Sequence, residues 1–229
     1  MTQGKKYRSA LGKIEAGKVY TIAEAVAFLQ ANKTAKFDES LEVHIHLGIN
    51  TKKSEENVRG TVVLPHGTGR TQKVAVVTST KEDEAKKAGA AYVGGEELIA
   101  DMKAGKINAG SDFHLVLATP EMMPKLAQVA KILGPKGMMP SPKNETVTQK
   151  IGEAVEMLQK GKKASYKNDD TANLHQVVGK LSFDAKALEE NITTFLEAIA
   201  KGKPEGVKGK FMTSITLTST MGPGLPVTK

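Results

Sequence analysis

Ser40-Leu41-Glu42-Val43-His44-Ile45-His46-Leu47-Gly48-Ile49 carries the pattern that decides the fold of this chain. Leu41, Val43, Ile45, Leu47 and Ile49 recur with a period of two, and Ser40, Glu42, His44 and His46 fill the alternate positions. Successive side chains of an extended strand point to opposite faces, so the stretch reads as a strand with one apolar and one polar face. The alternation returns near the C-terminus, where Phe211, Ile215 and Leu217 are interleaved with Ser214, Thr216 and Thr218. Lys163 to Lys167 is a third candidate strand. Upstream, Thr21-Ile22-Ala23-Glu24 has the spacing of a capping box and opens a helix with Ile22, Val26 and Leu29 inward. Leu188, Ile192, Phe195, Leu196 and Ile199 share a second helical face. Strands with one polar face, and helices to cover the other, predict an α+β domain with an antiparallel-type sheet built from both ends of the chain.

Between these ends the pattern changes. Lys73 to Thr78, Ala91-Tyr92-Val93 and Phe113 to Leu117 read as short buried strands. Lys81 to Lys87, Glu96 to Met102 and Met122 to Ile132 read as helices, and Val147, Ile151, Val155 and Leu158 fall on one further helical face. Repeated β-α-β units predict a small Rossmann-like parallel α/β domain. Glycine-rich joints stand on either side, Pro65-His66-Gly67-Thr68-Gly69-Arg70 and Lys160-Gly161-Lys162-Lys163. The expected organisation is residues 1–67 plus 160–229 as one discontinuous domain and 68–159 as an inserted one.

The charge counts along these divisions differ. Residues 1–67 hold 10 Lys/Arg against 7 Asp/Glu, 68–159 hold 12 against 11, and 160–229 hold 11 against 7. A total of +8 favours a polyanionic partner, nucleic acid or an acidic membrane. Aromatic residues make up only 4% and Trp is absent, which argues against a single-strand-binding platform of stacked rings. With no cysteine, a disulfide scaffold, a thiolate zinc site and a thiol nucleophile are excluded. Met1-Thr2-Gln3-Gly4-Lys5-Lys6-Tyr7 is followed by no apolar core of a secretory signal, and no run of about 18 apolar residues occurs. The chain is therefore expected in the cytoplasm, without a membrane partner.

The polar face of the end domain is where chemistry gathers. Ser40, Glu42 and His44 come from the first strand, and Ser214, Thr216, Thr218 and Thr220 from the last. Lys36 and Phe37 stand just before the first strand, and Lys163 and Lys167 in the third. Lysines neutralise phosphates, hydroxyls and carboxylates bond ribose 2′-OH groups and base edges, and an exposed Phe packs on a sugar or base. A polar strand face can equally be solvated and idle. Thr220-Met221-Gly222 ends the last strand, with Thr220 directed away from the apolar side and Gly222 open to the approach of an RNA backbone. The five histidines show no H-E-x-x-H spacing, and His44 and His46 lack a third partner, so no metal is expected. Gly134-Pro135-Lys136-Gly137 and Gly67-Thr68-Gly69 match neither phosphate-loop fingerprint. A nucleotide-dependent enzyme using the middle sheet remains the alternative, since a doubly wound sheet can accept a nucleotide, although fold class alone does not carry a catalytic claim.

Four stretches, in order, resemble the bacterial form of the universal uL1 family of large-subunit ribosomal proteins. They are Phe37-Asp38-Glu39-Ser40-Leu41-Glu42-Val43, then residues 57–69 from Asn57-Val58-Arg59-Gly60 to Gly67-Thr68-Gly69, then 132–143 around Gly134-Pro135-Lys136-Gly137-Met138-Met139-Pro140, and Thr218-Ser219-Thr220-Met221-Gly222-Pro223-Gly224. The resemblance implies a split first domain and an inserted second one. It implies a non-catalytic protein without cofactors that docks on rRNA of the mobile stalk beside the tRNA exit site and assists release of deacylated tRNA. It also implies repression of translation through the leader of its own mRNA, and a monomer when free of the ribosome. The RNA-contacting positions it carries over are Lys36, Phe37, Ser40, Glu42, Lys167, Ser214, Thr220, Met221 and Gly222, to which the polar face adds Thr218. Lys167-Asn168-Asp169-Asp170-Thr171 departs from relatives, which often carry more basic or glycine-containing residues there.

Overall fold

The alternating stretch forms strand β1, Ser40–Leu47, and its odd-numbered residues are buried. The computed structural model describes residues 4–15, 17–142, 146–207 and 209–228, with the side chain of Ser54 set aside. Met1, Thr2 and Gln3 of the N-terminal stretch and Lys143 of the 132–143 motif lie outside the described residues.

Strand β1 lies between two later strands, β7 (Asn173–Lys180) and β8 (Met212–Ser219), and pairs antiparallel with both. A short edge strand β9, Leu225–Val227, completes the order β7-β1-β8-β9. Two helices cover the apolar face, α2 (Ile22–Ala31) and α8 (Ala185–Lys201). The capping box at the start of α2 is formed: the Thr21 side chain accepts from the Glu24 amide, and the Glu24 carboxylate accepts from the Thr21 amide. Val26 and Leu29 are buried, as are Leu188, Ile192, Phe195, Leu196 and Ile199 of α8. A short helix α1, Lys5–Leu11, precedes them and buries Ala10. The third candidate strand, β6 (Lys163–Lys167), pairs with β2 (Arg59–Val63) in a separate two-stranded ladder.

The middle of the chain forms a three-stranded parallel sheet of order β4-β3-β5, with β3 at Val74–Val77, β4 at Tyr92–Gly94 and β5 at Leu115–Ala118. All four residues of β3 are fully buried, Ala75 and Val77 toward one apolar cluster and Val74 and Val76 toward another. Helices α3 (Glu82–Lys87), α4 (Glu96–Lys103) and α7 (Ile151–Gln159) connect and cover the sheet. Two expectations need correction here. The stretch from Met122 to Ile132 is not one helix: Pro124 enters it, and it divides into α5 (Met123–Leu126), a 3₁₀ turn at Ala127–Val129, and α6 (Ala130–Leu133). Val147 is not helical; it bridges to Ala118 in parallel and extends the sheet before α7 begins.

Contacts within the chain divide it into two units, Met1–Gly69 with Ala164–Lys229, and Arg70–Lys163. On these divisions Lys160, Lys162 and Lys163 fall in the inserted unit. The first unit then holds 18 Lys/Arg against 14 Asp/Glu and the second 15 against 11, so each carries +4. Net charge alone therefore does not tell the units apart. Within the first unit, the end of the Pro65–Gly69 stretch is fastened to α8. Gly67 and Gly69 take the left-handed backbone that glycine tolerates. The buried Asn191 side chain of α8 accepts from the His66 amide at 3.1 Å and donates to the Gly67 carbonyl at 2.9 Å.

Candidate nucleic-acid interface

The register of the four-stranded sheet assembles the polar face. Glu42 stands opposite Thr218, His44 opposite Thr216 and His175, and His46 opposite Ser214 and Asn173. A sheet whose other side packs on helices leaves this face to solvent. His44 and His175 meet through their Nδ1 atoms at 2.7 Å, and His46 Nδ1 lies 2.8 Å from the Asn173 carboxamide oxygen. Burial, then the neighbouring His175, lowers the pKa of His44 against the opposing pull of Glu42, so the His44 imidazole gives up its proton more readily than a free one.

One end of this face is built around Glu39. The odd residues of β1 point inward, and Glu39 continues that phase, so its carboxylate is fully buried. A buried charge is costly unless hydrogen-bonded. Glu39 Oε1 accepts from the Thr34 and Ala35 amides at 3.1 and 2.8 Å. Its Oε2 accepts from the Ser219 hydroxyl at 2.6 Å and the Met221 amide at 3.3 Å. Burial alone would raise the carboxyl pKa, but these four donors outweigh it and hold Glu39 below the ordinary glutamate range. The same carboxylate therefore fastens the turn bearing Lys36 and Phe37 to the strand end bearing Thr220 and Met221. Phe37 and Met221 are 53% and 56% exposed, large apolar side chains offered to solvent side by side on one cleft.

The other candidate residues fall along the face. The Thr220 hydroxyl is exposed, yet it accepts from the Ser40 amide at 2.9 Å, while the Thr220 amide donates to the Ser40 carbonyl at 3.1 Å. Thr220 thus points away from the core as expected and also closes the β1–β8 ladder. The Ser40 hydroxyl accepts from Lys180 at 2.9 Å. Thr218 Oγ1 lies 3.1–3.4 Å from the carbonyls of Ser219, Gly222 and Pro223, bracing the turn after β8. A Cβ on Gly222 would press on the Ser219 hydroxyl that binds Glu39, so the protein's own packing favours glycine here. Lys36, Phe37, Ser40, Thr220, Met221 and Gly222 are gathered at this end, with Glu42 and Thr218 adjoining. Ser214 lies toward the far end beside His46. Lys167 is exposed in the β2–β6 ladder; the next residue, Asn168, bridges to Leu174, which pairs with Ile45. At about 3.3 Å per residue that end of β1 is roughly 17 Å from Ser40.

The loop after Lys167 is ordered from within. The Asp169 carboxylate accepts from the Thr171 hydroxyl at 2.6 Å, the Asn173 amide at 2.6 Å and the Thr171 amide at 2.9 Å. The Thr171 hydroxyl, then the Asn173 amide, are the main causes that lower its pKa to about 2.

Sequence reasoning passed over Glu39, Lys180 and His175, and the pair Lys6 and Tyr7, which line the cleft with Phe37 and Met221. Glu39 had a legible signal, a carboxylate in the apolar phase of β1. Among the described residues no group of three or more His, Cys, Asp or Glu side chains could hold a metal ion. In the inserted unit the Lys136 ammonium of Gly134-Pro135-Lys136-Gly137 donates to the Ala109 carbonyl at 2.5 Å, turned into its own fold.

The comparisons agree with this architecture. The family model described as "Ribosomal protein L1p/L10e family" matches residues 29–223. A curated protein of Mycoplasma capricolum subsp. capricolum, named large ribosomal subunit protein uL1, is 46% identical over 223 residues, 97% of each chain. One of the same name from Kosmotoga olearia is 46% identical over 224 residues, 97% of this chain and 95% of its own. A further uL1 from Mesoplasma florum is 45% identical over 223 residues. With matches of this identity running nearly end to end, the chain belongs to the ribosomal protein L1p/L10e family.

Proposed function

We propose that this chain is a non-catalytic component of the large ribosomal subunit in the cytoplasm, and that its discontinuous unit grips folded rRNA of the mobile stalk beside the tRNA exit site. Its relatives are named as large-subunit ribosomal proteins, which supports the assignment to that particle. The observation that carries the RNA reading is the buried Glu39, which fixes Lys36, Phe37, Thr220 and Met221 at one end of a sheet face covered in hydroxyls and imidazoles. Such a surface suits shape and 2′-OH recognition of a folded RNA better than simple phosphate attraction. Docked there, the protein moves with the stalk, contacts deacylated tRNA and assists its release. The same surface binds a similar fold in the leader of its own mRNA and represses translation. Residues 1–67 plus 160–229 form the RNA-binding domain on this reading, and 68–159 an inserted Rossmann-like one.

The test is binding of the whole chain to a short stalk rRNA fragment with no nucleotide added. Tight binding is expected, with rejection of DNA of the same sequence. The few lysines on the face correspond to ~3 to 5 phosphate contacts and a salt slope of roughly −0.7 to −0.9 per contact. A slope near −10 without discrimination between RNA and DNA would overturn the proposed mode.

A further inference from the structure

A cleft of about 710 Å³ opens between α1 and the Thr34–Phe37 turn, within the discontinuous unit. Tyr7 and Phe37 line it together with Met221, and Lys5, Lys6 and Lys36 stand around it. Helix α1 has only 7 residues, too few to persist on its own. It is held in place by the buried Ala10 and by two lysine contacts, Lys6 Nζ to the Thr34 carbonyl at 3.3 Å and Lys13 Nζ to the Asn32 side-chain oxygen at 2.7 Å. Tyr7 is half-buried and Phe37 largely exposed, and the two rings make no contact with each other. Two aromatic side chains thus line one cleft.

We infer that this cleft receives one unpaired nucleobase of the bound RNA, with Tyr7 and Phe37 as its aromatic partners, Met221 packing on the base or its sugar, and the lysines beside the flanking phosphates. The inference rests on the RNA-binding reading and adds to it a site for a flipped-out nucleotide to which α1 contributes. Charge selects the occupant. No Asp or Glu lines the cleft and three lysines do, so a polyanion is favoured and a second copy of this chain would set lysines against lysines. Apolar, aromatic lining selects the part of a polyanion that has a π-face, which is a base rather than a backbone. The volume is in the range of small-ligand sites, ample for one nucleoside. Lys36 and Met221, which line the cleft, also stand at the Glu39 end of the candidate RNA face, so a duplex or folded loop seated there brings an unpaired base within reach.

The whole chain, wild type and Tyr7→Ala, Tyr7→Leu and Tyr7→Phe, is titrated with the stalk rRNA fragment. A parallel set of fragments carries an abasic site at each unpaired nucleotide in turn. Tyr7→Phe should bind like wild type. Tyr7→Leu, which keeps apolar contact on α1 but removes the ring, and Tyr7→Ala should each weaken binding about 10- to 100-fold, the scale of one lost base stack. For one abasic position that loss should vanish, because the ring then has nothing to stack on. Equal losses from Tyr7→Leu with every abasic fragment, or wild-type binding by Tyr7→Leu, would overturn the base site while leaving the RNA-binding reading standing. Failure of the wild-type chain to bind the fragment at all would remove both. A dimer dispersed by Tyr7→Ala with RNA affinity unchanged would assign the cleft to a second copy and overturn the inference.

Discussion

The two units carry the same net charge and opposite kinds of sheet. In the inserted unit, β3 is buried on both sides, Ala75 and Val77 against Leu98, Phe113 and Met122, and Val74 and Val76 against Leu117, Ile151 and Val155. A parallel sheet sandwiched in this way has no face left to offer a partner. In the discontinuous unit the antiparallel sheet packs α2 and α8 on one side only, and its other side sets Glu42, His44 and His46 opposite hydroxyls and His175. With +4 on each, what separates them is a vacant, chemically varied face and not the amount of charge. Surface geometry, rather than basicity, is what assigns the proposed RNA contact to the discontinuous unit.

The largest effect should come from parting the units. A chain joining residues 1–69 to 164–229 should keep the rRNA affinity of the whole within about tenfold, whereas residues 70–163 alone should lose at least ~1,000-fold, on the scale that separates specific from non-specific nucleic-acid binding. Filter binding decides it; comparable affinity in the inserted unit would break the comparison outright.

Next in size is Glu39→Gln. The carboxamide keeps one acceptor oxygen but turns an N–H₂ toward groups that now donate, leaving buried donors unmatched at about 1–3 kcal/mol each. Denaturant unfolding should show a loss on the order of 3 kcal/mol, with RNA affinity falling further than stability. The pH dependence supplies a check of sign. The folded pKa of Glu39 is depressed, so its contribution is present above the ordinary glutamate value of 4.5 and is lost as pH falls below it toward the lower folded value. The variant should lack that acid limb; an unchanged acid limb would show that Glu39 is not the group responsible.

Thr220→Val ranks third. Losing the acceptor for the Ser40 amide should cost about 1 kcal/mol of stability, and RNA affinity should fall by more than that, about tenfold or greater. Thr220→Ser should restore both. Calorimetry and thermal melting on one preparation separate the contributions, and an affinity loss equal to the stability loss would confine Thr220 to the ladder.

The smallest effect is local. Asp169, held at about pKa 2 chiefly by the Thr171 hydroxyl, steadies the turn between β6 and β7 above its ordinary value of 3.8, and that help is lost as pH falls through about 2. Asp169→Ala should speed amide exchange at Thr171 and Asn173 while leaving the global melting temperature nearly unchanged. Slow exchange in the variant would transfer the ordering of this turn to other contacts.

Much of this was legible in the sequence, for reasons that also explain the omissions. Strand β1, helix α8 and the capped α2 announce themselves because period and burial coincide at each position. Strand β7 did not: its pairing with β1 slips between Leu41 and Glu42, which breaks the alternation, and Gln176 and Val177 are both only half-buried. Strand β9 has three residues with Pro226 at their centre, tolerable at a sheet edge and invisible to a pattern search. Of the candidate residues, those on β1 and β8 followed from phase alone. The place of Lys167 in a second ladder depends on pairing with β2, more than 100 residues away, and the role of α1 on a lysine contact to Thr34 that no local spacing announces.

Glu39 also bears on how the protein is made. Its acceptor oxygens are filled by donors at Thr34 and Ala35, synthesised just before it, and by donors at Ser219 and Met221, synthesised 180 residues later. Strand β1 likewise waits for β7 and β8, while the inserted unit is contiguous and can close first. At the ordinary pace of translation this delay is on the order of ten seconds. Over that interval no growing chain can display Thr220 beside Ser40 or Met221 beside Phe37. If the proposed RNA face is correct, occupancy of the RNA counts finished molecules only, and a chain cut short before Ser219 should be silent toward it.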